Sequence, residues 1–196
     1  MNDVSKEKAI EILGYRFNAI QVGLLVLKKQ SYWSEDKSKV CIFVDGNLDT
    51  EATITTLTNS AIESAIIHSR VLLDFLGLKV NKNRLVQAHR NKNHSDNLFI
   101  EHEVFGSLKV VTPDEAVNTY SGPSEEAEKA LAYIIHLANK GLVHSTSNFE
   151  PKNDDVRLLD IAFRGVVQLM ENRFYSPLGL ATPSSPVSEV RRGRKG

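Results

Sequence analysis

Apolar residues near the N-terminus recur at alternating spacings of three and four, which is the period of one face of an α-helix. They are Ile10, Leu13, Phe17, Ile20, Leu24 and Leu27, and their spacing predicts a helix over residues 5–29. The same period predicts helices over residues 51–76, 123–143 and 154–172. We therefore expect a mainly α fold in which these helices form a four-helix-bundle-like domain.

The second of these helices has the clearest amphipathic pattern. On a helical wheel its apolar side chains share one broad arc, and Glu63, Arg70 and Asp74 lie opposite. The arc contains Leu57, Ala61, Ala65, His68, Leu72, Leu73, Phe75 and Leu76. Gly77 follows, and glycine is best suited to the left-handed conformation that ends a helix. The pattern predicts a core helix with one polar line.

A short apolar and β-branched run, Val40-Cys41-Ile42-Phe43-Val44, is closed by the turn residues Asp45-Gly46-Asn47. This composition is typical of a strand or of a buried connector. Cys41 is the single cysteine, and its apolar neighbours predict a buried, reduced thiol. An internal disulfide is excluded because the chain has no second cysteine.

The segment between the second and third helices predicts a small irregular or β-hairpin insertion. Residues 79–96 carry five Lys or Arg and four Asn without periodicity, which predicts a loop or a frayed helix. Residues 98–105 roughly alternate, and the turn residues Gly106-Ser107 separate them from residues 108–111. This pattern predicts a hairpin over residues 98–111.

The composition changes after Tyr175. Residues 176–196 hold three of the six prolines and four serines, and they close with Arg191-Arg192-Gly193-Arg194-Lys195. Such a segment has too few apolar residues to order itself. The expected organisation is one helical domain over residues 1–175, followed by a disordered basic tail over residues 176–196.

Charge and composition limit the possible partners and compartments. Lys and Arg number 24 against 24 Asp and Glu, so an electrostatic grip of the whole surface on nucleic acid is excluded and any polyanion contact must be local. The longest uninterrupted apolar run, residues 130–135, is far shorter than a membrane span, and the N-terminus leads into a charged segment. We expect a cytoplasmic protein without a membrane segment.

Two motifs resemble one family. Asn139-Lys140-Gly141-Leu142-Val143-His144-Ser145-Thr146 is similar to the Arg-x4-6-His signature of HEPN domains, with Asn139 at the position of the arginine. Upstream, His68-Ser69-Arg70-x3-Asp74-Phe75 resembles the long helix of an uncharacterised bacterial branch of HEPN-like proteins. The resemblance implies a small helical bundle associated with RNA or nucleotides, in stress or phage defence, and a ribonuclease without metal or other cofactor if it is an enzyme.

A ribonuclease of this kind needs a base for the 2′-hydroxyl proton and cations for the charge on phosphorus. Tyr133, His136, Lys140 and His144 have a 3-4-4 spacing and line one stripe if the helix continues past residue 141. His144 and Lys140 are therefore candidate catalytic residues, and Arg70 could complete the site from the neighbouring helix.

The same residues also fit a structural interpretation. His144 would then cap the end of a helix, His136 would pack in the core or in an interface, and the polar line with Arg70 would form ion pairs. On this interpretation Asn139 marks a non-catalytic helical module for dimerisation or interaction. The broad apolar arcs of the helices favour a homo-oligomer in either case.

Two further clusters carry weaker patterns. Arg84, Arg90 and Lys92 are candidate RNA-binding residues, or the charges of a solvated loop. A second cluster lacks the regular spacing of metal ligands, so no metal site is predicted. It comprises His89, His94, His102, Asp96, Glu101 and Glu103.

Overall fold

A computed structural model of the chain describes residues 5–30, 38–88, 98–106, 108–141 and 153–187. Its helices are α1 (Lys6–Gln30), α2 (Ile54–Phe75), α3 (Pro113–Val117), α4 (Ser124–His136) and α5 (Asn153–Met170), and its strands are β1 (Lys39–Val44), β2 (Asn47–Thr53), β3 (Leu78–Asn81) and β4 (Arg84–Gln87). A 3₁₀-helix covers Glu103–Phe105, and π-helical segments cover Leu137–Gly141 and Glu171–Tyr175. The predicted fold class, mainly α with a hairpin insertion, is confirmed.

The long helices α1, α2, α4 and α5 surround one apolar core. α1 lies along α2 and also contacts α5, and α4 lies along α5. The stripe predicted for α1 is confirmed, because Leu13, Phe17 and Ile20 are buried. Gly23 allows α1 to approach α2 closely, since a Cβ at this position would overlap the Cβ of Ala65.

α2 begins at Ile54 rather than at residue 51, because residues 51–53 pair with β1. Its predicted core arc is confirmed over the second half of the helix, where Ala65 and Leu72 are fully buried. The arc is wrong at the N-terminal end, where Leu57 is 38% exposed. In the early turns of α2 the buried residues are instead Ile54 and Thr58, so the covered face there differs from the predicted arc.

The predicted end of α2 at Gly77 is confirmed. Gly77 has a φ of +88°, in the left-handed region that glycine adopts without a steric penalty. A Cβ at this position would also lie 2.6 Å from the Cγ1 of Val110. Both the backbone conformation and the close contact with Val110 require glycine at this position.

The run at residues 40–44 forms a strand, but Cys41 is exposed rather than buried as predicted. β1 pairs with β2 in an antiparallel hairpin whose turn residues, Asp45 and Gly46, both have positive φ. This combination makes a type I′ turn, which suits the twist of a two-stranded hairpin. The hairpin extends from the start of α2, and its strand β1 is therefore exposed although its residues are apolar.

The prediction of a loop or frayed helix over residues 79–96 is wrong for its first part, which forms the β3–β4 hairpin. Leu78 and Leu85 are buried, and the turn residues Lys82 and Asn83 have positive φ. Asparagine tolerates this conformation, so a turn rich in Asn and Lys can close a hairpin. Residues 89–97 lie outside the described part of the chain.

The hairpin predicted over residues 98–111 is also wrong. The backbone N–H groups of Ile100 and Val111 donate to the carbonyls of Phe75 and Leu76, at the end of α2. Both segments therefore bind α2 instead of each other, and Phe105 is buried against the ring of Phe75. Apolar and polar residues alternate over residues 98–105 because this segment packs on the end of α2, not because it is a strand.

α3 was not predicted, although its capping box is readable in the sequence. The Thr112 hydroxyl accepts from the Glu115 backbone, and the Glu115 carboxylate accepts from the Thr112 backbone. Pro113 stands in the first turn, where its fixed φ suits a helix. The helix is too short to show an apolar period, which is why periodicity alone missed it.

The predicted third helix is confirmed only in its first part. α4 ends at His136 and the chain continues as a π-helix over Leu137–Gly141, whereas the prediction ran to residue 143. Its N-cap is Pro123, which makes no side-chain capping hydrogen bond.

α1 also meets the length and hydropathy of a membrane span. An 18-residue window within Lys6–Lys29 has a mean hydropathy of 1.4, although polar residues interrupt its apolar runs. Core helices of soluble proteins can have the same length and hydropathy, and 28% of this window is buried in the fold. The absence of a membrane segment stays a prediction.

The chain continues from the second π-helix onto the core. Leu178 and Leu180 are partly buried against the core, and the Leu180 N–H donates to the Tyr175 carbonyl at 2.9 Å. Pro183 lies beside Gly14 of α1. The boundary at residue 175 and the disorder of the tail stay predictions.

Two truncations separate the parts of this C-terminal segment. Deleting residues 188–196 is expected to leave the melting temperature unchanged, because this basic stretch has almost no apolar side chains. Deleting residues 176–196 also removes Leu178 and Leu180 and is expected to lower it by about 2 to 8 °C. Differential scanning calorimetry measures both. Equal melting temperatures for the two truncations would show that the leucines contribute nothing.

Candidate functional site

An open groove of about 530 Å³ lies between the β3–β4 turn and one face of α4. It is lined by Asn83, Arg84, Glu125, Glu128, Lys129, Ala132, Tyr133 and His136. Two members of the predicted stripe, Tyr133 and His136, are thus on its wall. The groove brings together a histidine, a tyrosine and two cationic side chains.

Glu128 holds the hairpin against α4. Its Oε1 accepts from the backbone N–H of Leu85 and from Nε of Arg84, each at 3.0 Å. The carboxylate satisfies a backbone donor of β4 and neutralises the charge nearest to it. Glu128 therefore fixes the hairpin side of the groove and one of its cations.

Tyr133 keeps its proton throughout the neutral range. Burial raises the pKa of its phenol, and the hydrogen bond to Asp155 of α5 raises it further. The phenol cannot serve as a base at neutral pH. It offers an aromatic ring and a bound hydroxyl to the groove.

His136 is the groove residue with a ring nitrogen that makes no hydrogen bond to the described residues. Its Nε2 is buried, and it has no hydrogen-bond partner among the described residues. A buried polar atom without a partner costs free energy, so the hydrogen-bonding capacity of Nε2 is unmet by the described residues. His136 lies at the last turn of α4, next to the π-helical segment.

The charge of the groove is mixed. Arg84 and Lys129 contribute positive charge, and Glu125 and Glu128 contribute negative charge. Arg84 is committed to Glu128, although its side chain is 77% exposed, whereas Lys129 is exposed on α4. Lys129 is thus the groove cation best placed to meet an incoming anion.

The predicted α-helical stripe does not continue in one line past His136. Lys140 lies in the π-helical segment, whose i to i+5 hydrogen bonds widen each turn and change the spacing of side chains. The backbone of Lys140 is described, but its side chain is not, and His144 lies outside the described residues.

The residues matched on α2 face elsewhere. His68 packs against α1, where its Nδ1 lies 3.1 Å from a guanidinium nitrogen of Arg16 and its ring meets Tyr15 edge to face. Burial, followed by the charge of Arg16, lowers the pKa of His68. Arg70 is exposed on α2 and is not among the residues that line the groove.

Of the predicted RNA-binding residues, Arg84 lines the groove from β4, and Arg90 and Lys92 lie outside the described residues. Lys129 and Asn83 were not predicted. Lys129 and Tyr133 have a helical i, i+4 spacing that could have revealed the same face. Asn83 reaches the groove only because it lies in the β3–β4 turn, in a segment that the sequence predicts as a loop or a frayed helix.

Metal ligation finds no support in the described part of the chain, where no three His, Cys, Asp or Glu side chains cluster. His102 instead accepts the backbone N–H of Val104 through its Nδ1 and caps the 3₁₀-helix. His89, His94 and Asp96 lie outside the described residues.

Comparisons of the chain with models of protein families, with curated proteins and with solved structures found no match.

Proposed function

We propose that the chain is a HEPN-like protein that associates with RNA or nucleotides through the groove between the β3–β4 turn and α4. The observation that carries the proposal is His136, which lines a groove with Lys129 and Arg84 and whose buried Nε2 has no partner among the described residues. A ribose hydroxyl or a base edge offers the hydrogen bond that this atom lacks.

The other groove residues complement the parts of a nucleotide. The ammonium group of Lys129 is available to a phosphate as a point charge, and Arg84 lies on the opposite wall. Tyr133 presents an aromatic ring, and bases of single-stranded RNA stack on such rings. The neutral overall charge implies a local contact with one or two nucleotides.

Binding of a fluorescent single-stranded RNA, measured by anisotropy at low salt, tests the proposal. Lys129→Ala is expected to raise the Kd by about tenfold, because a charge-assisted contact to phosphate is lost. His136→Ala is expected to weaken binding by a similar factor, because the hydrogen bond to Nε2 is lost.

Lys109→Ala is the matched control, because Lys109 is exposed and lies outside the groove lining. This variant should bind RNA like the wild type. RNA affinity that falls equally in Lys109→Ala and Lys129→Ala would show diffuse electrostatic attraction instead of a site, and this result would contradict the proposal.

A non-catalytic interaction module is the second candidate function. The exposed apolar side chains of the β1–β2 hairpin favour it, since no other described residue covers them. The two candidates use different surfaces, so each can be tested without the other.

A further inference from the structure

We propose that β1 is the pairing edge of a homodimer, in which the β1 strands of two copies run antiparallel about Ile42 and form a four-stranded sheet. The inference goes beyond the groove and does not depend on RNA binding. It commits to a second copy of this chain as the occupant of the hairpin.

The hairpin is nearly all surface in the single chain. Ile42, Phe43, Val44 and Leu48 are 40%, 63%, 53% and 53% exposed, and only Val40 and Ala52 are partly covered. A two-stranded hairpin is marginally stable alone in water and needs further strands or a packed face. The β1–β2 hairpin therefore lacks a covering element in the described part of the chain.

The two hairpins of the protein differ in how their edge strands are covered. In β4 the Leu85 N–H is bound by Glu128, and the Leu85 side chain is buried. The stretch Val40–Val44 within β1 has neither a charged residue nor a proline, which are the usual means by which an edge strand avoids pairing. Among the described residues, no strand pairs with the second edge of β1, and nothing in its sequence opposes such pairing.

The sequence of β1 is complementary to itself in one register. Antiparallel pairing about Ile42 places Val40 opposite the partner's Val44 and Cys41 opposite the partner's Phe43. The result is an apolar ladder in which no like charges face each other, and apolar cross-strand pairs stabilise a sheet. Lys39 keeps its exposed contact with Glu51 of its own chain, at 3.5 Å.

The backbone supports the same register. In a hairpin with a type I′ turn the pair next to the turn, Val44 and Asn47, exchanges hydrogen bonds. The register shifts between Ile42 and Phe43, but the extra residue lies on β2, so the pattern alternates along β1. The N–H and C=O groups of Phe43 and Cys41 then face the open side of β1. Pairing about Ile42 makes Cys41 and the partner's Phe43 a hydrogen-bonded pair.

The other edge of the hairpin is unsuited to pairing with itself. Antiparallel pairing of two β2 strands about their central residue, Thr50, would place Asp49 opposite the partner's Glu51. Like charges directly opposite each other destabilise a sheet. The charges therefore select β1 as the dimer edge.

Sedimentation equilibrium tests the proposal. The 21.9 kDa chain should be a dimer, and Ile42→Lys should raise the dimer Kd by at least about tenfold, because two lysines would meet at the two-fold axis. Leu48→Lys is the matched control, since Leu48 is equally apolar and 53% exposed but lies on β2. This control should remain dimeric.

A cross-link tests the register. Phe43→Cys would place the new thiol opposite Cys41 of the second copy, within the distance that a disulfide spans. Mild oxidation should therefore convert Phe43→Cys to a covalent dimer, while Leu48→Cys, with its thiol on β2, should stay largely uncross-linked on a non-reducing gel.

Three results would overturn the proposal. The first is a wild type that stays monomeric at about 100 µM. The second is an equal loss of dimer in Ile42→Lys and Leu48→Lys. The third is equal cross-linking of the two cysteine variants. Binding of the wild-type monomer to phosphatidylcholine vesicles would assign the hairpin to a lipid surface instead. Circular dichroism of each variant checks that the helical domain is intact.

Discussion

Single-stranded RNA is expected to be cleaved by the protein in EDTA if the ribonuclease implied by the resemblance operates, and His144→Ala should slow cleavage by about 10²- to 10⁴-fold. This is the usual contribution of a positioned general acid or base. No metal is required, because the chemistry uses a side chain for the 2′-hydroxyl proton and cations for the developing charge. The rate of cleavage of a labelled oligonucleotide measures the effect.

Lys140→Ala should weaken both binding and turnover, because a cation at this position acts on phosphate in the ground state and in the transition state. Lys109→Ala again serves as the control outside the groove. Cleavage at the wild-type rate by His144→Ala would contradict the assignment of His144, and an inactive wild type would eliminate the ribonuclease. Neither result would contradict RNA binding at the groove.

Leu72→Ala is expected to lower the free energy of unfolding by about 2 to 5 kcal/mol. Leu72 has no exposed surface and belongs to the central core, so its truncation leaves a cavity between packed helices. Chemical denaturation followed by circular dichroism measures the difference. This effect would be a large share of the total stability of a domain of this size.

Leu57→Ala is the matched control on the same helix. Leu57 is 38% exposed, so its truncation should cost less than about 1 kcal/mol. Equal costs for the two variants would show that the core does not concentrate on the second half of α2, and the assigned helix face would then be wrong.

The amphipathic helices could be predicted because their information is local. The spacing of Leu13, Phe17 and Ile20 places them on one side of any helix, whatever lies opposite. The end of α2 could also be predicted from local sequence, because Gly77 readily adopts the left-handed conformation that ends a helix.

Apart from β1, whose apolar run and turn residues are typical of a strand, the strands could not be located in the same way. Residues 98–105 alternate like a strand, yet Ile100 bonds to the end of α2 through a contact that no local pattern encodes. The segment around Asn83 reads as a loop, yet it closes a hairpin that Glu128 holds. Cys41 has the neighbours of a buried residue and is exposed, because its hairpin extends away from the core.

The candidate site was likewise predictable from the sequence only in part. Tyr133 and His136 could be placed on one face of a helix from their spacing alone. The groove itself arises from tertiary structure, because Arg84 and Asn83 reach α4 only after the hairpin folds and Glu128 binds Leu85, 43 residues away in sequence. Arg70, which the sequence placed near the same site, lies outside the groove lining.

The sequence by itself determined the four long helices, their apolar faces and the glycine that ends α2, because helix formation and amphipathicity depend on residues within a few turns of one another. Only the tertiary structure decided which segments pair as strands, which apolar residues stay exposed and which polar residues meet in a groove. These outcomes depend on contacts between residues far apart in the chain, and a local pattern cannot specify such contacts.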